Sequence, residues 1–180
     1  MVSDSKLGLT TRTLHWAVAL VILPLTCMGL IMTAFELWSF YDLHKSIGIL
    51  SLALILPRVI VRIKRGWPKP LGAPHRWQLR IAKMTHWSML ILTLLMPLSG
   101  MLYSGASGNG FSIFGLTILP ENIVNNEVLA YHSNLSIIGQ TTHQFASYAL
   151  LGCIALHIGG VLFYHFIIRD RTLVRMVGSK

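Results

Sequence analysis

Eight histidines carry most of the chemistry open to this 180-residue chain, and two of them are set in register. His143 and His157 lie fourteen residues apart on one long apolar segment near the C-terminus. That interval is roughly four turns of α-helix, so both imidazoles leave the same helix face. At about 1.5 Å of rise per residue they stand about 21 Å apart, a large share of a bilayer's thickness. Ionisable groups at membrane depth are costly and point to function. One helix face with an imidazole near each surface suits two metal centres, and two stacked haems are the reading the spacing favours.

Such ligands need partners at matching depth, and composition says what kind of element supplies them. A mean hydropathy of +0.62 and 12% charged residues exclude an ordinary soluble domain. The length leaves room for one membrane domain. Apolar stretches able to cross a bilayer run over about 14–35, 44–63, 86–103 and 143–168. Pro57 and Pro97 interrupt the second and third, which neighbouring helices tolerate. The first run is long and carries His15 and Trp16 at its entrance, so it reads as a retained span and not a cleavable signal.

The connectors differ in character. Residues 35–42, FELWSFYD, predict a tight turn, and residues 64–83 form a basic, Pro-rich connector. The longest connector, about 104–142, holds Gly105, Gly108 and Gly110, then an apolar FSIFGLTILP and then NNEVLAYHSNLSI, which reads as a short interfacial helix over the outer mouth.

The formal charge of +9 is explained by topology. No basic stripe interleaved with exposed aromatics appears, so nucleic acid is not an expected partner. The N-terminus, second connector and C-terminal tail hold Lys6, Arg12, Arg62, Lys64, Arg65, Lys69, Arg76, Arg80, Lys83, Arg169, Arg171, Arg175 and Lys180. Arg58 lies in span two near the same side. The opposite side holds Lys45 against Glu36, Asp42, Glu121 and Glu127. The positive-inside rule places both termini in the cytoplasm. An all-α integral membrane protein follows, an up-down-up-down four-helix transmembrane bundle that can hold cofactor ligands on facing helices.

In this topology His44 and His143 share the outer level. The inner level offers His157 with either His15 or His86. His75, His132 and His165 read as amphipathic boundary residues. Matched depths on several helices favour di-haem ligation over metal transport or a proton relay. Gly48, four residues after His44, leaves room for a porphyrin face, while the other span glycines let helices approach closely. The methionines read as packing, the five tryptophans as an aromatic belt, and Cys27 and Cys153 as buried apolar residues. Arg12, Arg76, Arg80 and Lys83 lie near the inner level, where haem propionates or lipid headgroups would meet them.

The motifs LHW at 14–16, LHKSIGI at 43–49, THW at 85–87, FGLTILP at 114–120, the run THQFASYALLGCIALHIGGVLFYHFIIRD at 142–170 and RTLVRM at 171–176 together resemble the bacterial cytochrome b561 family. The resemblance spans roughly residues 10–176 and implies a single transmembrane domain over 1–180. It implies two haem b groups, one on His15 and His157 at the cytoplasmic side and one on His44 and His143 at the periplasmic side. His86 then stands beside the inner haem, with His86 and Arg12 as candidates for a propionate or a quinone. Similar spans occur in the membrane subunits of formate dehydrogenases and nickel-iron hydrogenases, which relay electrons from a periplasmic partner to quinone. Short stand-alone members include enzymes of the inner membrane that oxidise superoxide to O₂ and reduce ubiquinone, and this compact chain looks closest to them. Against that expectation the first outer turn has no lysine or arginine, and Lys45 is the lone outer cation in the sequence.

Overall fold

Backbone amides have no water to bond within a bilayer, so long apolar segments must close their hydrogen bonds internally as helices. The computed structural model describes residues 7–68, 70–71 and 74–178. Lys6, Lys69 and Lys180 lie outside the described residues. Four helices are long and apolar enough to cross a membrane, as the hydropathy predicts. They are α1 (Leu9–Phe35), α2 (Tyr41–Arg65), α3 (Arg76–Ala106) and α4 (Ser133–Leu162). A wider turn with π-type winding, Phe163–Ile167, ends α4, and a short α5 (Thr172–Val177) follows. Asp170 starts α5 by accepting the N–H of Thr172 at 2.9 Å and its hydroxyl at 2.7 Å.

Two helices begin about ten residues earlier than hydropathy suggests, α3 at Arg76 and α4 at Ser133. Hydropathy registers the apolar stretch, whereas the hydrogen-bond ladder runs on through polar turns outside it. His86 and His143 therefore lie well inside their helices and not at the ends. His75 and His132 are the capping residues of α3 and α4.

The long connector differs from the expected interfacial helix. It forms two antiparallel hairpins, β1 (Phe111–Ile113) with β2 (Leu116–Leu119) and β3 (Ile123–Val124) with β4 (Glu127–Val128). Asn125 and Asn126 take φ of 52° and 65°, the left-handed pair that a two-residue hairpin turn requires. SNLSI is the first part of α4 itself. The predicted tight turn between the first two spans stands, as Glu36 in a left-handed cap followed by one 3₁₀ turn, Trp38–Phe40.

Packing is uneven. Helix α3 lies along α4 and α1 along α2, with α2 also against α3, while α4 meets α1 and α2 only sparsely. The fully enclosed apolar centre is small: Val18, Ile22, Ile55 and Leu150. Leu20, Leu156 and Phe166 are among many apolar side chains left on the outside, which suits a surface wetted by lipid tails. Some hydroxyls inside the spans are satisfied locally: Thr26 donates to the Ile22 carbonyl at 2.7 Å and Ser99 to that of Leu95 at 2.7 Å.

The start of α1, the end of α2 and the short α5 share one end of the bundle. Trp16 Nε1 donates to the Met176 carbonyl at 3.1 Å, and Gly8 lies beside the Arg65 guanidinium. At the other end Ser46, 1% exposed, pins the first hairpin to α2. Its hydroxyl donates to the Ser112 carbonyl at 3.2 Å and accepts the Phe114 N–H at 3.0 Å.

Candidate functional site

Helix α4 presents His143 and His157 toward different partners. His143 faces His44 of α2, with ring centres 6.3 Å apart and ring planes crossed at 80°. His157 faces His15 of α1, with centres 6.1 Å apart and planes crossed at 61°. A metal–imidazole bond is about 2 Å, and nitrogen to ring centre adds about 1 Å, so two imidazoles on one iron stand about 6 Å apart. Both couples have the spacing that bis-imidazole ligation asks for. His86 of α3 also approaches His157, at 5.2 Å, which is short for an iron between them. Among the described residues no three His, Cys, Asp or Glu side chains gather to hold a bare metal ion. Two-histidine couples across a loosely packed interface fit a group that brings its own equatorial donors.

The outer couple is set by its surroundings. His143 Nδ1 lies 2.9 Å from the Met96 carbonyl, an acceptor, so Nδ1 holds the proton and Nε2 keeps its lone pair. The Ser99 hydroxyl stands 3.2 Å from the same nitrogen. Glycines make the approach possible. A Cβ on Gly100 would lie 3.2 Å from His143 Cε1, and one on Gly29 would lie 3.2 Å from His44 Cε1. Gly48 has only Leu25 Cδ2 within reach, at 3.9 Å, and so leaves open space beside His44.

The inner couple has a different neighbour. Arg58 Nη1 donates to His15 Nδ1 at 2.9 Å. Around His157 the rings continue, as Trp67 stacks on His86 at 5.0 Å and meets Trp87 at 5.5 Å. The Arg62 guanidinium covers Trp67 at 4.6 Å. Arg12 lies against Gly178 of the C-terminal tail. Its guanidinium therefore faces the tail, while His86 stands beside the inner couple.

The structure brings the four histidines expected from the sequence together as two couples, and adds three neighbours to them. The Met96 carbonyl carries no side-chain signal. Trp67 reads as a belt residue but folds onto His86. Arg58 had the clearest signal, a charge inside an apolar span.

Comparison with known proteins shows the family to which the chain belongs. The profile of prokaryotic cytochrome b561 matches residues 6–179. Cytochrome b561 homolog 1 of Escherichia coli (strain K12) is 31% identical over 136 residues, covering 76% of this chain and 73% of that protein. Cytochrome b561 homolog 2 of the same organism is 28% identical over 185 aligned positions, covering 98% and 94%. A protein of Yersinia pestis named probable superoxide oxidase CybB is 25% identical over 175 positions, covering 93% of each chain. With four spans and this match over nearly its whole length, the chain is a multi-pass membrane protein of the prokaryotic cytochrome b561 family, whose members are haem-b oxidoreductases.

Proposed function

We propose that this chain is a di-haem b oxidoreductase of the bacterial inner membrane that takes electrons from superoxide at the periplasmic side and reduces ubiquinone. The carrying observation is the pair of imidazole couples at 6.1 and 6.3 Å, both using α4. In this reading His15 and His157 hold the inner haem iron, and His44 and His143 the outer. Both termini are cytoplasmic, because the basic residues gather at the end where Trp16 meets Met176.

Haem b, when bound, supplies one-electron transfer. With two imidazoles offered to each iron, the four histidines would hold both haems and leave superoxide to give up its electron without becoming a ligand. Two superoxide ions lose one electron each and leave as two O₂. Ubiquinone takes up the two electrons with two protons and leaves as quinol. His86, beside the inner couple, is the candidate to hold the quinone or a haem propionate. The name of the Yersinia pestis relative supports superoxide as donor.

One observation favours a second reading, in which the protein relays electrons from a periplasmic redox partner. The Lys45 ammonium lies 3.2 Å from the Asp42 carboxylate and 4.6 Å over the Tyr41 ring. Its side chain is 12% exposed, so the lone outer cation offers little field to an approaching anion. The deciding experiment supplies the purified protein and ubiquinone with a steady superoxide flux. Rapid quinol formation that superoxide dismutase abolishes supports the first reading. Haems that stay oxidised under superoxide but respond to dithionite support the second.

A further inference from the structure

The proposed electron path leaves one charged residue without a task. Arg58 lies in the apolar part of α2, and its guanidinium reaches His15 at 2.9 Å. Charge at this depth is expensive and is retained where it does something. Its charge is permanent, since guanidinium does not deprotonate in proteins. Among the described residues no carboxylate stands within ion-pair distance of it; the described ion pair, Lys45 with Asp42, is at the opposite end of α2. The groups facing it are Arg62 one turn along α2, His15 of α1, His157 of α4 and His86 of α3, none of them an anion.

The outer couple has the opposite polarity. There His143 donates its Nδ1 proton to the neutral, electron-rich Met96 carbonyl at 2.9 Å. Donation to a carbonyl makes an imidazole a stronger electron donor, which favours ferric iron. A cation beside the other couple favours ferrous iron, which carries one positive charge fewer. That holds when His15 binds iron through Nε2 and keeps its Nδ1 proton, so that the Arg58 N–H would turn from Nδ1 to a carboxylate of the haem.

From these two contacts we infer that Arg58 makes the inner haem the electron sink, and that its charge, set against the Met96 carbonyl at the outer site, directs electrons from outside to inside. The inference rests on the assignment of His15 and His157 to the inner haem. Arg58 is a positioning residue here, acting on potential and touching neither superoxide nor quinone.

The test is a spectroelectrochemical redox titration of the haem-loaded protein in detergent. The wild type and His15→Ala come first. Two one-electron waves, one of them lost in His15→Ala, establish the assignment, and loss of neither or of both removes it and this inference with it. Loss of the lower wave keeps the assignment and overturns the inference; loss of the higher one is expected. Arg58→Gln is then expected to lower the upper midpoint and leave the lower one in place. The equilibrium constant for outer-to-inner transfer falls at least tenfold, about 59 mV for one electron. Arg58→Lys, which keeps the charge, recovers more than half of that shift. An upper midpoint that stays put or rises in Arg58→Gln overturns the inference, a rise meaning that Arg58 holds His15 as an electron-rich ligand. Should Arg58→Gln lose the inner haem, retention by Arg58→Lys supports the role of charge, and loss in both refutes it.

Discussion

His143 reaches the Met96 carbonyl of α3 because Gly100, one turn further along that helix, has no side chain. A Cβ there would stand 3.2 Å from His143 Cε1 and 3.3 Å from Nδ1, closer than ordinary packing. The pair ties a backbone feature of α3 to the orientation of a ligand on α4. Gly100→Ala is expected to push the ring by a few tenths of an ångström and shift the outer haem's midpoint and α-band while keeping haem. Gly100→Val should lose the outer haem. Pyridine haemochrome quantification and reduced-minus-oxidised spectra read both outcomes; an unchanged spectrum in Gly100→Val would show that His143 does not depend on this contact.

The ligand couples predict selective losses. Replacing His44 or His143 by alanine should remove one haem and leave the inner one, and replacing His15 or His157 should do the reverse. His86→Phe is expected to keep both haems, since its 5.2 Å approach to His157 is too short for a shared iron. Quinol formation in that variant should fall about tenfold, the value of one buried hydrogen bond to the headgroup. Haem-to-protein ratios decide this. Loss of both haems from a single histidine change, with helical circular dichroism intact, would refute the couples.

Lys45 offers a test of how superoxide is met. Its contact with Asp42 at 3.2 Å leaves little charge to steer an anion, so the rate with superoxide should change little between low and physiological salt. Asp42→Asn frees the ammonium, and both the rate and its salt dependence should rise. Stopped-flow haem reduction at several ionic strengths measures this. A steep salt dependence in the unmodified protein would point to a cationic approach elsewhere.

Ser46 should matter to the outer cap more than its size suggests. Ser46→Ala leaves the Phe114 N–H and the Ser112 carbonyl without their buried partner, a cost of about 1–3 kcal/mol. The first hairpin is then expected to loosen from α2, beside His44. Faster proteolysis within the hairpin and a lower melting temperature of the outer haem's signal would register it. Equal protease resistance in the variant would mean the hairpin is held by other contacts.

The spans, the grouping of basic residues and the levels of the four principal histidines are legible in the amino-acid sequence. Those properties follow from local order along one chain: apolar runs of bilayer length, charge placement at their ends, and a fourteen-residue interval on one helix. Tertiary structure decided which inner histidine stands at ligand spacing from His157, because His15 and His86 share a depth and only helix packing separates 6.1 Å from 5.2 Å. It also decided where α3 and α4 begin, since a polar turn outside the bilayer can be helix or loop until hydrogen bonds select one. The hairpins rest on left-handed backbone at Asn125 and Asn126 and on Ser46, which lies 66 residues from Ser112 in the chain. Arg58 on His15 and the Met96 carbonyl on His143 are contacts between helices, one of them accepted by a backbone carbonyl. Such contacts exist only once the helices have packed.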